Sequence, residues 1–264
     1  DYVKDIVLLG GGILSLEIAD RLKDLNKNIT IIEAGPRLMP KQLDQDASSI
    51  FNKILENSKI NIFLSEGIDE IYGTGNNYGE VCGIKLSHSA RKINCQMIIQ
   101  SLGNISDLTL FENTGLNLNR GIMVDEFMRS SDENIYAIGD IAEFEGKMIG
   151  LWPRAIEMAK VAGANIVGDN SRKFKDTPIG SSFNGFETKI FSIGEIGNST
   201  ENSYSILELK DPKLNIYKKF YFKDNLFVGG ILMGDISKSI QLRKAINAAS
   251  TIQHFLDMHF LDEI

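Results

Sequence analysis

Three consecutive glycines, Gly10, Gly11 and Gly12, lead into Ile13, Leu14 and Ser15 and fit the pattern GxGxxG with serine in the last place. Glycines so spaced suit one task. The first permits a tight turn, and the second lets the backbone approach a pyrophosphate. The third position allows a helix to pack closely on a strand, and serine is small enough to stand there. Glu33 follows about 20 residues on, where a carboxylate can accept hydrogen bonds from the adenosine ribose hydroxyls of a dinucleotide. The same carboxylate repels a 2′-phosphate and so favours NAD(H) over NADP(H). Arg37 complicates that preference, because a nearby arginine can accommodate the phosphate. A glycine motif alone is weak evidence, since a tight turn with no ligand is written in the same letters.

The elements around the motif give it meaning. Asp5 to Leu9 is a short, continuous apolar run, as expected for a strand buried on both faces of a parallel sheet. Ile13, Leu14, Leu16, Ile18, Ala19, Leu22 and Leu25 recur at helical spacing, and Ile29 to Ile32 form a second buried strand ending at Glu33. Strand, helix and strand at this spacing make a right-handed parallel crossover. Gly35, Pro36 and Pro40 then break the chain, and Asp44 caps a helix running to about Asn57. Residues 60–64 read as a third parallel strand. Alternating strands at 68–72, 81–86 and 93–102, flanking a turn at 73–77, read as an antiparallel insertion.

Further strands are expected at 121–125 and 135–138, and a helix at about 153–167. Residues 169–182 read as a polar linker. Beyond it come strands near 188–193, 204–209, 216–222 and 226–233, and one long amphipathic helix at about 237–259. Strands followed by a helix suggest a separate α+β domain. The fold class is therefore α/β: a Rossmann-like NAD domain with an antiparallel insertion (1–118), a further segment of strands and a helix (119–170) and a small C-terminal α+β domain (171–264).

Ser130 opens a second informative stretch that runs through Ile135-Tyr136-Ala137-Ile138 to Gly139-Asp140. Here the sequence resembles the FAD-dependent pyridine nucleotide-disulfide oxidoreductases. Within them it is most similar to NADH-rubredoxin reductases and the flavin portion of NADH-dependent nitrite reductases. The resemblance covers nearly the whole chain. It implies that residues 119–170 are part of a FAD domain and that Asp140, following Gly139, hydrogen-bonds the ribityl–pyrophosphate part of FAD. The segment from Gly10 to Ala19 also resembles the family's NAD motif, which places Glu17 near the nicotinamide; a favourable interaction with the helix dipole explains Glu17 equally well. Leu151-Trp152-Pro153 precedes the helix that in relatives points its N-terminus at the flavin, although Trp152 is also a good core anchor. Ser101-Leu102-Gly103 corresponds to a family loop beside the nucleotide, with a departure from the pattern after it.

Other features set bounds. The resemblance implies a further glycine-rich βαβ unit for the ADP half of FAD, together with any redox cysteine pair, before Asp1. The chain is accordingly expected to be a fragment. Cys82 and Cys95 match no redox motif and read as small buried or half-buried residues. His88, His254 and His259 lack metal-ligand spacing and read as solvated, and Asp235 reads as part of the turn into the last helix. The net charge of −7 and the absence of a basic stripe argue against a nucleic-acid partner. No signal peptide is visible, and no window holds the roughly 20 apolar residues of a membrane span. A reducing cytoplasm is the expected location.

The expected function is an oxidoreductase whose parent protein passes hydride from NADH to FAD and electrons on to a small redox protein or an iron–sulfur acceptor, with a homodimer as an open option. No side chain need act as acid or base, because the cofactors carry the chemistry. The rival is a nucleotide-binding module without turnover. A dehydrogenase acting directly on a small substrate lacks a catalytic histidine or lysine near either motif.

Overall fold

The structure is a computed structural model, and it describes residues 2–74, 79–148, 150–197, 204–211 and 213–261. Two compact units result, 1–102 with 178–264, and 103–177. None of the helices among the described residues is long and apolar enough to cross a membrane.

The first unit begins with β1 (Asp5–Leu9), α1 (Ile13–Leu22), β2 (Asn28–Glu33), α2 (Gln45–Asn57) and β3 (Asn61–Leu64). An antiparallel sheet of β4 (Ile68–Gly73), β5 (Val81–Leu86) and β6 (Lys92–Asn94) follows, and then β7 (Met97–Gln100). The parallel sheet runs β3-β2-β1-β7, with Ile6 opposite both Ile29 and Met97. Side chains alternate across a strand, so β1 serves two cores at once. Ile6 and Leu8 join the core built with α1 and α2, whereas Val7 packs with Ile84, Leu86 and Cys95 under the antiparallel sheet.

The structure divides the expected 93–102 strand. Its first part pairs with β5, and its second part joins the parallel sheet beside β1. The switch lies at Gln96, whose side-chain oxygen accepts from the Lys4 and Asp5 amides (2.9 and 2.8 Å). A stretch of strand-like residues cannot reveal such a change of partner. Cys95 is buried there as expected, but Cys82 is exposed. In the expected 73–77 turn, Gly75, Asn76 and Asn77 lie outside the described residues.

In the second unit, β8 (Ile122–Val124) pairs in parallel with β9 (Ala142–Phe144), and α3 (Trp152–Ile166) packs Met158, Val161 and Ala162 against them. Leu108, Phe111, Leu116 and Leu118 lie on the same core. The strand expected at 135–138 is absent. The chain there is extended (Ile138 φ −142°, ψ 160°), but Tyr136 makes only an isolated bridge, to Arg129, and the ladder forms after Gly139-Asp140 instead. Arg154, only 1% exposed, binds Glu157, Asp176 and Thr177 and ties α3 to the end of the unit.

The chain then returns to the first unit through β10 (Ser181–Gly185), β11 (Thr188–Gly194), β12 (Ser205–Asp211), β13 (Ile216–Lys223) and β14 (Leu226–Met233), in the order β10-β11-β14-β13-β12. Part of the expected linker is thus the edge strand β10. The expected long helix is two, α4 (Ser239–Asn247) and α5 (Ile252–Asp257). Ala249 breaks them with φ +48°, and Thr251 caps the second. The break lets Phe255 reach Phe220, Phe222, Phe227 and Phe260, with ring centroids 4.2 to 5.1 Å away. Asp235 takes the Ser237 amide (2.9 Å), as a turn residue does, and also pairs with buried Lys218 (3.2 Å). His88, His254 and His259 are exposed.

Phe183, Phe186, Ile190, Tyr217, Tyr221 and Met233 of this C-terminal sheet share one core with α1 and α2. At its edge sits Asp44, the N-cap of α2. One carboxylate oxygen accepts from the Ala47 amide (2.9 Å). The other accepts from the hydroxyls of Tyr217 (2.6 Å) and Tyr221 (2.8 Å), and Lys219 Nζ lies 3.1 Å from it. Burial alone would raise the Asp44 pKa. The Tyr217, Ala47 and Tyr221 hydrogen bonds and the Lys219 charge outweigh it and hold the carboxyl below its ordinary 3.8. Burial, together with the Asp44 carboxylate, pushes both tyrosine hydroxyls up, so they remain donors.

Asp44→Ala leaves the two tyrosine hydroxyls without their acceptor and Lys219 with Glu208 alone, and is expected to cost about 3–5 kcal/mol in urea unfolding. The pH dependence has a definite sign. The folded chain binds this proton less tightly than the unfolded one, so the stabilisation is complete above the unfolded value. It is lost as pH falls through 3.8 towards the lower folded value. The difference in unfolding free energy between wild type and Asp44→Asn should therefore narrow below about pH 4.

Candidate functional site

The order β3-β2-β1-β7 places a topological switch at β1: the chain leaves it for β2 on one side, while β7 lies on the other. Open parallel sheets bind ligands at the carboxyl ends of strands beside such a switch. Gly10 stands there with φ +100°, donating its amide to Ile32 O of β2 (2.8 Å). A Cβ on Gly10 would meet Ser101 O, just beyond β7, at 2.4 Å. On Gly11 it would meet Leu38 Cδ2 at 2.6 Å. Those two glycines are demanded by the protein itself.

Gly12 differs. It is the N-cap of α1 with ordinary extended backbone (φ −84°, ψ 176°), and nothing lies within 4 Å of where its Cβ would stand. No side chain caps α1, and its first turn holds no acidic residue. An uncapped helix N-terminus beside open space fits an anionic pyrophosphate. Ile13 is half-buried, and Leu14 is exposed. Ser15, in the third glycine's place, is buried with its hydroxyl unpartnered.

Glu33 ends β2 with each carboxylate oxygen on a backbone amide, Oε2 on Gly11 and Oε1 on Gly35, both at 2.6 Å. These two donors fix the carboxylate beside the glycine loop, and each oxygen keeps a lone pair for a further hydroxyl. Arg37 turns onto its own loop, with Nε donating to Leu43 O (3.1 Å) and Nη2 to Pro40 O (3.3 Å). Leu38 and Met39 of this loop are buried, and the Met39 amide donates to Gly11 O (2.9 Å). Sequence reasoning missed both residues, because their side chains resemble any loop apolars. Only the backbone bond and the packing over Gly11 reveal their part.

Glu17 is exposed and falls in the second turn of α1, which removes the first-turn dipole as its explanation. With Leu14, Ile18, Arg21 and Asn184 it lines a cavity of about 400 Å³.

In the second unit, Gly139 adopts φ +73°, donates its amide to Met158 Sδ (3.3 Å) and lies against Ala155 in the first turns of α3. Asp140 is exposed, and its main-chain oxygen accepts from Ser106 Oγ (2.6 Å). Among the described residues no hydrogen bond reaches its carboxylate. Trp152 is no core anchor. It opens α3 at 79% exposure, beside an N-terminus with neither a side-chain cap nor an acidic residue. An exposed carboxylate on a glycine turn next to an uncapped helix start fits the hydroxyls and anionic parts of a flavin dinucleotide. Ser130 serves its own turn with Asp132 (3.1 Å). Gly103 has φ +91°, with no neighbour within 4 Å of a Cβ.

The comparisons with known proteins agree with this geometry. Residues 2–159 match the pyridine nucleotide-disulphide oxidoreductase family, and residues 181–250 match the rubredoxin NAD+ reductase C-terminal domain. The nitrite reductase [NAD(P)H] of Bacillus subtilis (strain 168) is 28% identical over 94% of this chain and 30% of its own length. A rubredoxin-NAD(+) reductase of Ectopseudomonas oleovorans is 33% identical over 63% of this chain and 44% of its own length. The chain therefore spans less than half of either relative. The water-forming NADH oxidase from Lactobacillus brevis, solved bound to NADH, shares the fold. Its TM-score is 0.83 at 21% identity, covering 100% of this chain and 61% of that one. With more than half of its residues matched to one family, the chain belongs to the pyridine nucleotide-disulphide oxidoreductases.

Proposed function

We propose that the chain forms the NADH-binding part, and some of the FAD-binding part, of a flavoprotein oxidoreductase that delivers electrons to a small redox protein or iron–sulfur acceptor. One observation carries the reading: Gly12 opens on empty space at the start of α1 while Glu33 is held beside it by the Gly11 and Gly35 amides. The relatives' names, rubredoxin-NAD(+) reductase and nitrite reductase [NAD(P)H], supply the direction of electron flow.

The chain's own contribution is binding and orientation. The α1 N-terminus receives the pyrophosphate, Glu33 accepts from the ribose hydroxyls, and Glu17 borders the path towards the nicotinamide. Arg37 donates to the Pro40 and Leu43 carbonyls of its own loop, and the Glu33 carboxylate supports NADH over NADPH. Gly139, Asp140 and the start of α3 with Trp152 would hold FAD, with the Gly103 loop bordering the nucleotide. A flavin held there would supply the hydride-accepting, single-electron-releasing chemistry. A reducing cytoplasm suits the free thiols of Cys82 and Cys95, and a homodimer remains compatible with this assignment.

The second reading is a nucleotide-binding module without turnover. It is favoured by the exposure of Ile105, Leu110, Ile135, Ile138, Leu151 and Trp152 in the unit that would hold the flavin. A visible spectrum after incubation with FAD separates the two. Retained flavin that bleaches on adding NADH supports the oxidoreductase; a colourless chain that still binds NADH supports the module.

Two alanine substitutions test the dinucleotide site itself. Gly12→Ala should cost about 1 kcal/mol or less in stability, because only an N-cap glycine is lost. It should nevertheless weaken NADH binding about tenfold or more, since the methyl fills the space of the phosphates. Gly10→Ala should lose about 2–4 kcal/mol through the Ser101 clash and the positive φ. Equal NADH affinity in wild type and Gly12→Ala would sink the assignment.

A further inference from the structure

We propose that Tyr217 and Tyr221, on the C-terminal sheet, are positioning residues for NADH: they hold Asp44, and Asp44 anchors the loop that frames Gly11 and Glu33. The inference rests on the reading that Gly10–Glu33 binds the dinucleotide.

The connection can be followed bond by bond. Leu38 packs on Gly11, Met39 donates to Gly11 O (2.9 Å), and Gly35 donates to Glu33 Oε1 (2.6 Å). Met39 is buried with φ +49°, a left-handed conformation that costs a residue with a Cβ about 1 kcal/mol and persists only when its surroundings enforce it. The enforcement comes from the far end of the loop. Gln42 and Leu43 donate to Met39 O (2.9 and 2.8 Å), and Asp44 follows directly. Ser48, in the first turn of α2, closes the circuit by donating its amide to Asp44 O and its hydroxyl to Leu38 O, both at 3.0 Å.

Capping α2 requires a single acceptor, and Asp44 Oδ1 meets that need through Ala47. The three groups on Oδ2 are therefore surplus to the cap. They come from residues 217, 219 and 221, which alternate along β13 and so project from one face of the sheet. The strand thus converges three donors on one carboxylate. That carboxylate in turn fixes where the loop ends relative to β2 and the glycines. Removing the hydroxyls leaves the ring packing intact and frees Asp44 to shift, together with the strained Met39 turn.

The test compares the Tyr217→Phe/Tyr221→Phe double variant with wild type and with Phe255→Leu. Phe255 packs on Phe220 and Phe222, on the opposite face of β13 from Tyr217, Lys219 and Tyr221, so its variant lowers stability without removing a bond to Asp44. NADH and ADP-ribose are titrated into each by fluorescence and calorimetry, and melting temperatures are recorded. ADP-ribose carries only the half of the dinucleotide that the loop would frame. The double variant should bind both ligands about three- to thirty-fold more weakly by the same factor, whereas Phe255→Leu should bind both as wild type does. The proposal is overturned if the double variant keeps wild-type affinity, or if Phe255→Leu loses as much for a comparable drop in melting temperature. If wild type itself fails to bind NADH, the functional reading falls first and takes this inference with it.

Discussion

A parallel sheet has no face to give to water, because crossover connections leave both sides lined with apolar residues. The arrangement of residues 1–102 and 178–264 follows from that constraint. Along β1, Ile6 and Leu8 point one way and Val7 the other, so two separate covers are required. The antiparallel β4-β5-β6 sheet supplies one through Ile84 and Leu86. Helices α1 and α2 supply the other, and their outward apolar residues are covered in turn by Phe183, Phe186 and Ile190 of the C-terminal sheet. The C-terminal sheet thus acts as the third layer of the dinucleotide fold. The same layering brings tyrosine hydroxyls from β13 to the cap of α2.

Loop 35–43 is bounded by two carboxylates with opposite assignments. Glu33, at one end, is half-buried and held by two amides, leaving it free to accept from a ligand. Asp44, at the other end, spends its accepting capacity on groups of the protein itself. Each takes hydrogen bonds from fixed donors in place of water. Their difference lies in the donors, main-chain amides in one case and side chains of another layer in the other.

The legible and illegible parts of the sequence divide along physical lines. The β1-α1-β2 unit could be read because its apolar periods, its glycines and Glu33 all act within about 30 residues. The break between β6 and β7 could not, since Ile93 and Ile98 are equally good strand residues and only partner identity separates them. Residues 135–138 have strand composition, and their backbone is extended at Ile138, yet a ladder requires a neighbouring strand that composition cannot supply. The polar run before β10 concealed an edge strand, because edge positions tolerate Ser181, Ser182 and Asn184. The helix break at Ala249 is set by the distant ring cluster that Phe255 must reach. Trp152 reversed its bland expectation. A large aromatic is usually buried, and this one stands exposed at a helix start.

The glycine motif itself separates structural from functional demand, although its letters are identical. Gly10 and Gly11 are required by neighbours inside the fold, namely Ser101 O and Leu38. Any strand–helix turn of this shape, with or without a ligand, would impose those two. Gly12 has no such neighbour, and its backbone angles suit any residue. Under the proposed function that open volume is where a pyrophosphate would approach the α1 amides. Ser15 completes the contrast. Its hydroxyl is buried without a partner, so hydrogen bonding is not what holds serine at this position. Gly12 is thus the one glycine of the three whose neighbours do not require it.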